Sequence, residues 1–142
     1  MVLLNKIAKI TLFSLIQGLF VWLLTDPGWD FVSMIYEPRN PRIRWEVICN
    51  EYILNMSILV VMLNIMMEVE PFRQLIPKIL ISLVGILLIG FIFRDDLVER
   101  THRLVFLLGN SFIVLGLRFY PLEYYWIKVK TNYYRKKRAR IR

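Results

Sequence analysis

The stretch ILISLVGILLIGFIF, residues 79–93, carries no charge and no proline, and Ser82 is its one hydroxyl. With its flanks it extends to about 76–94. A helix of that length, rising ~1.5 Å per residue, approaches the ~30 Å of a bilayer's hydrocarbon core. Nothing in it alternates with period two, which excludes a strand of a membrane barrel. Ile and Val favour strands in water, but in lipid the backbone must satisfy its own hydrogen bonds, and a helix does so.

Three further stretches read the same way. The first covers about 7–25, with Lys9 near its end, where an ammonium can reach headgroups. The second covers about 50–68 and is uncharged from Tyr52 to Met67. The last covers about 102–120, with Arg103 and Arg118 at its two ends. The expected fold is all-α: an integral membrane protein with four transmembrane helices over residues 1–127, then a basic tail over 128–142. Composition agrees. A soluble domain of 142 residues has too much surface to hide a 57 % apolar chain of mean hydropathy +0.50. One cysteine, Cys49, rules out a disulfide scaffold. The first span lacks the small-residue pair that signal peptidase needs, so it reads as a retained helix.

The net charge of +8 resides entirely in the tail. Lys128, Lys130, Arg135, Lys136, Lys137, Arg138, Arg140 and Arg142 face no acidic residue there, whereas 11 basic and 11 acidic residues balance over 1–127. Four spans put both termini on one side, which collects Lys6, Lys9, Arg73, Lys78 and the tail. The other side has Arg39, Arg42, Arg44, Arg94, Arg100 and Arg103. Twelve against six places both termini in the cytoplasm, in an inner or plasma membrane. Arg135, Lys136, Lys137, Arg138, Arg140 and Arg142 are then the expected contacts to anionic lipid headgroups, with Tyr124, Tyr125 and Trp126 anchoring at the interface. Nucleic acid is attracted by the same charges, but a fixed position beneath a bilayer favours lipid.

Asp26-Pro27-Gly28 is expected to stop the first helix, since proline lacks a donor and glycine accepts turn geometry. Residues 26–49 then form the one sizeable loop, with Trp29, Phe31, Met34, Ile35 and Tyr36 lying in the interface or offering a docking surface. Ser14/Gly18 and Gly109/Gly116 have the spacing that permits close helix approach.

Signatures of catalysis are missing: no phosphate-binding glycine loop, no H-E-x-x-H and no G-x-S-x-G. One histidine cannot hold a haem between two imidazoles, and no spacing supports a metal, so no cofactor is expected. Cys49 and His102 fall on the same outer face, with Arg100 and Arg103 beside the histidine, but a third orienting group is missing. Among polar residues in the spans, Glu51 and Asn55 share a face one turn apart. Arg103, Asn110 and Arg118 recur at intervals of seven and eight. These five are the expected helix–helix contacts or partner interface, with Glu51 meeting Arg103.

The order of features resembles a family of small membrane proteins that accompany bacterial exosortases. The matching positions are Asp26-Pro27, Tyr52-Ile53-Leu54-Asn55, His102-Arg103, Phe119-Tyr120 and Tyr124-Tyr125. Glu51 stands where that family has arginine, Leu104 replaces an aromatic, and the basic tail is longer. The resemblance implies a non-catalytic accessory of a membrane sorting enzyme whose nucleophile lies on the larger partner. From the residues alone, an accessory or assembly subunit of a larger membrane complex stands beside two alternatives. One is a homo-oligomeric channel or small transporter; the other is a peripheral subunit of a respiratory complex.

Overall fold

The computed structural model describes residues 1–36, 43–94 and 101–141. Arg39, Arg42, Arg100 and Arg142 of the charge count, and Pro38 and Pro41, lie outside them. Every described element is helical. α1 is Val2–Tyr36, α2 is Ile43–Met67, α3 is Leu75–Ile92 and α4 is Thr101–Gly116. A single 3-10 turn, Glu70–Phe72, leads into α3. After α4 a π-helical turn, Arg118–Leu122, passes the chain into α5, Glu123–Ile141. Four helical segments are long and apolar enough to cross a membrane.

Each helix turns a narrow stripe inward. On α3 it is Ser82, Gly85, Ile86 and Ile89; on α4 it is Arg103, Leu107, Asn110, Ser111, Val114 and Leu115. Tyr52, Met56, Val60, Leu63 and Met67 form the stripe of α2. On α1 the buried residues are Phe13, Gln17, Val21, Thr25 and Trp29, four apart throughout. A step of four advances about 40° beyond a full turn, so this stripe winds around α1 and meets α2 and α4 at different heights. The outside is apolar instead: Leu80, Leu83, Leu87 and Phe91 of α3 are 42–72 % exposed. Gln17, Asn64, Asn110 and Arg118 are inside. Polar residues within and aliphatic ones without is the arrangement that lipid, not water, selects.

Proline does not end α1. Pro27 lies within the helix, and the expected loop over 26–49 is helix at 26–36, the end of α1, and at 43–49, the start of α2. Losing one backbone bond costs about 3 kcal/mol in a helix interior. Continuing the helix carries Trp29 into α4, where its ring meets Phe106 edge-on at 5.3 Å and stacks on His102 at 6.5 Å. The Arg103 guanidinium lies 5.8 Å from the Trp29 ring. Aromatic pairs at ~0.5–1.5 kcal/mol and a cation–π contact at ~0.5–2 kcal/mol offset the lost bond. Trp29 is therefore a buried packing residue, while Phe31, Met34 and Ile35 stay exposed.

The glycine expectation is corrected as well. A Cβ at Gly18, Gly109 or Gly116 would meet nothing within 4 Å. Close approach occurs at Gly85, where Leu59 and Leu63 methyls would come to 3.3 Å, and at Gly28, facing the Phe106 ring.

Candidate functional site

Polar side chains gather at three levels along the bundle. The deepest charge cluster lies at the end where α1 begins, α2 ends, α3 begins and α4 ends. Pro121 builds it locally. Having no N–H, it cannot continue the α-helical ladder, and the chain closes a wider loop in which Leu122 N donates to Leu117 O at 3.1 Å. That turn places Arg118 and Glu123 side by side, and Arg118 Nη1 donates to Glu123 Oε1. Arg118 Nη2 donates to Glu68 Oε1 at 2.8 Å. Lys9 Nζ bridges both carboxylates, 2.9 Å from Glu68 and 3.0 Å from Glu123. Lys78 Nζ is farther out, 3.8 Å from Glu123 Oε1.

Five charged side chains from all four spanning segments thus share one cluster, three cations against two carboxylates. The Arg118 side chain is 3 % exposed and those of the two lysines 15 and 18 %. Phe13 lies beneath, its ring centre 4.5 Å from the Arg118 guanidinium and 5.5 Å from Lys9 Nζ. Trp126 of α5 closes against Phe13 edge-on at 5.9 Å. Pairing of this kind is what makes buried charge tolerable, because each isolated ion loses its hydration.

At mid-height a second set contains no charge. Asn64 Nδ2 donates to Gln17 Oε1 at 2.8 Å and to Ser14 Oγ at 3.0 Å. Gln17 Nε2 donates to Val114 O at 2.8 Å, so α1, α2 and α4 are tied through two amides. Farther along, Tyr52 OH lies 3.1 Å from Leu107 O and 2.8 Å from Ser111 Oγ. Asn110 Nδ2 donates to Leu24 O at 3.3 Å.

The opposite end holds a cavity of about 220 Å³ lined by Asp26, Trp29, Asp30, Glu46, Cys49 and Asn50. Cys49 is buried in its wall, and Trp29 links that wall to His102 by stacking. Cysteine and histidine therefore do share one end of the bundle. Among the described residues no group of three His, Cys, Asp or Glu side chains fits a metal.

The five polar residues singled out in the spans divide. Arg103 and Asn110 are buried on α4, and Arg118 is buried in the π-helical turn that follows it. Glu51 is exposed on the outer face of α2, away from the inward stripe that includes Tyr52, and Asn55 donates back to its backbone at 2.9 Å. Arg103 lies against Trp29 instead of the expected Glu51. Sequence reasoning missed Gln17 and Asn64, the two most buried amides, and it read Lys9 only as a snorkelling residue. Glu68 and Glu123 were equally legible, since both sit where a predicted span ends among cations of one side.

The basic tail is helical as far as Ile141, and α5 has no buried residue. Arg135, Lys136, Lys137, Arg138 and Arg140 are all exposed. Compared with known proteins, the chain matches no family model, no curated protein and no solved structure.

Proposed function

We propose that this chain is a non-catalytic, multi-pass accessory or assembly subunit of a larger membrane complex, with both termini in the cytoplasm of an inner or plasma membrane. The observation that carries this reading is α5. Nineteen residues form a helix with no buried residue of its own, displaying Tyr124, Tyr125, Tyr133 and Tyr134 together with the cations of the tail. Like charges at Arg135/Arg138 and Lys136/Arg140 repel along such a helix. An anionic partner surface, headgroup or protein, relieves that repulsion. The sequence resemblance points to an exosortase-type sorting system as the complex.

The interior supports the same reading over a channel. A conducting path needs polar groups along one axis, open to cargo. Gln17, Asn64, Asn110 and Arg118 are engaged with other helices, and Glu51 lies on a different face from Asn110 and Arg118. No common axis serves all of them.

The test is purification of the tagged full chain from its native membrane in mild detergent, with mass and composition read together. One stoichiometric larger membrane protein is expected, and it should be lost when Arg135, Lys136, Lys137 and Arg138 are all changed to Glu. A homogeneous multiple of 17.1 kDa without any partner overturns the proposal in favour of a homo-oligomer.

A further inference from the structure

Every residue from Ile127 to Ile141 is exposed, so about four turns of α5 are covered by nothing among the described residues. Helices in proteins draw most of their stability from packing, and one without it is marginal in water. Local preference does not make up the difference. Ile127, Val129, Thr131, Tyr133 and Tyr134 are middling helix formers, and the like-charged pairs Arg135/Arg138 and Lys136/Arg140 oppose the helix. A group from outside has to hold these turns, and from Tyr124 to Arg142 there is no acidic residue, so that group is anionic.

Its shape follows from where the cations point. Arg135, Lys136, Lys137 and Arg138 are consecutive, and successive residues of a helix turn by about 100°, so the four face nearly every direction. A flat anionic surface touches one side of such a helix. Anionic lipid, the contact expected from the sequence, therefore reaches only part of this set. Distance limits it further. Glu123 is held level with Glu68 and Lys78, where α2 ends and α3 begins. Arg135 to Arg140 lie 12 to 17 positions past Glu123, about 18–26 Å along the helix axis. The headgroup layer outside a hydrocarbon core is only about 5–8 Å thick. Standing upright, α5 carries these cations past the headgroups; lying flat, it turns about half of them to water.

What remains is a surface that wraps the helix. Exposed aliphatic side chains, Ile127, Val129 and Ile141, are interleaved with the cations. A phosphate backbone offers them no complement, whereas a protein groove buries them, as grooves that receive helices do. Tyrosine and arginine, here Tyr133, Tyr134, Arg135 and Arg138, are also the residue types that anchor protein interfaces. We propose that residues 127–141 of α5 dock in a groove of the larger partner protein, with Asp and Glu on both of its walls. This rests on the accessory-subunit reading and adds to it the chemistry and shape of the partner's surface.

The experiment uses the tagged full chain carrying Arg138→Lys, which keeps the charge and places a second amine about 200° around the helix from Lys136. Native membranes are treated with a water-soluble carbodiimide, which joins amines to carboxylates in direct contact, and crosslinks are mapped by mass spectrometry after purification. Crosslinks from position 136 and from position 138 to Asp or Glu of one partner protein are expected. Trypsin should cut the parent chain at 135–138 at least about tenfold more slowly in the complex than in phosphatidylglycerol nanodiscs without the partner. A partner that copurifies but crosslinks to one position alone, or to neither, overturns the groove and leaves the accessory reading intact. Absence of any partner overturns both. Equal protection in the nanodiscs assigns α5 to lipid, and loss of protection on nuclease treatment assigns it to nucleic acid; either result overturns the proposal.

Discussion

Replacing Asn64 by leucine and Gln17 by methionine, singly and together, tests whether the mid-height amides tie the bundle. Each change swaps an amide for an apolar side chain of similar shape, so packing volume alters little. Asn64→Leu removes the 2.8 Å bond to Gln17 Oε1 and the 3.0 Å bond to Ser14 Oγ, and leaves the Gln17 carbonyl without that donor. Interhelical hydrogen bonds in membranes contribute ~0.6 kcal/mol on average and up to ~1.7. Two bonds and a stranded carbonyl therefore put the single variant about 1–3 kcal/mol below the parent. Gln17→Met removes the bond to Val114 O and leaves Asn64 Nδ2 with Ser14 Oγ as its remaining acceptor, a cost of the same size. The double variant strands neither, because both partners are then apolar. Its loss should fall short of the sum by about 1–2 kcal/mol. Reversible unfolding in mixed micelles of increasing SDS fraction gives the three differences. Additivity to within ~0.3 kcal/mol would refute the reasoning, since independent sites behave that way.

The charge cluster yields an ordering: Glu68→Gln should cost more than Arg118→Met. The first raises the buried excess to two cations and approaches the ~3–5 kcal/mol of an orphaned ion, whereas the second leaves Lys9 and Lys78 against two carboxylates and should cost about 2 kcal/mol. The reverse order in the same unfolding assay would refute a net positive cluster. Pro121→Ala restores an N–H and lets α4 run on without the wide turn; at ~100° per residue, positions 118 and 123 of an α-helix lie ~140° apart, which parts Glu123 from Arg118. Despite alanine's higher helix propensity this variant should be less stable than the parent, and a gain in stability would show that the turn does not build the cluster. Glu51→Gln, on an exposed face, should stay within ~0.5 kcal/mol of the parent in unfolding.

Much of the architecture is legible in the residues because long apolar runs leave the backbone few choices. Runs such as 79–93 admit one structure, and Arg103, Asn110 and Arg118 announce their shared side by spacing alone; all three are buried. Two errors have a common origin in local rules. Asp26-Pro27-Gly28 has the chemistry of a helix stop, but what decides is the packing of Trp29 just beyond it, buried between α1 and α4. Glu51 and Asn55 are polar and share a face, yet Tyr52 and Met56, one position on, take the interior. In water polarity marks the outside and in lipid it marks the inside. A polar residue near the end of an apolar helix, as Glu51 is in α2, meets both rules and is placed by its neighbours.

The cluster at the terminal end was harder to read for a different reason. Lys9, Glu68, Lys78, Arg118 and Glu123 are dispersed over 115 positions of the sequence, from 9 to 123, and each is by itself an ordinary charge at the end of a span. Only the topology collects them, by bringing all four span ends to one level. The pairing rule that then applies is electrostatic and counts charge, not sequence distance. This is why the deep amides and the charge cluster differ in kind. Gln17 and Asn64 bond to each other, to Ser14 and to Val114 O, all within the chain, so their contribution ends with holding three helices together. Five ions with an odd total cannot all pair off, and Lys78, 3.8 Å from Glu123, is the cation held most loosely.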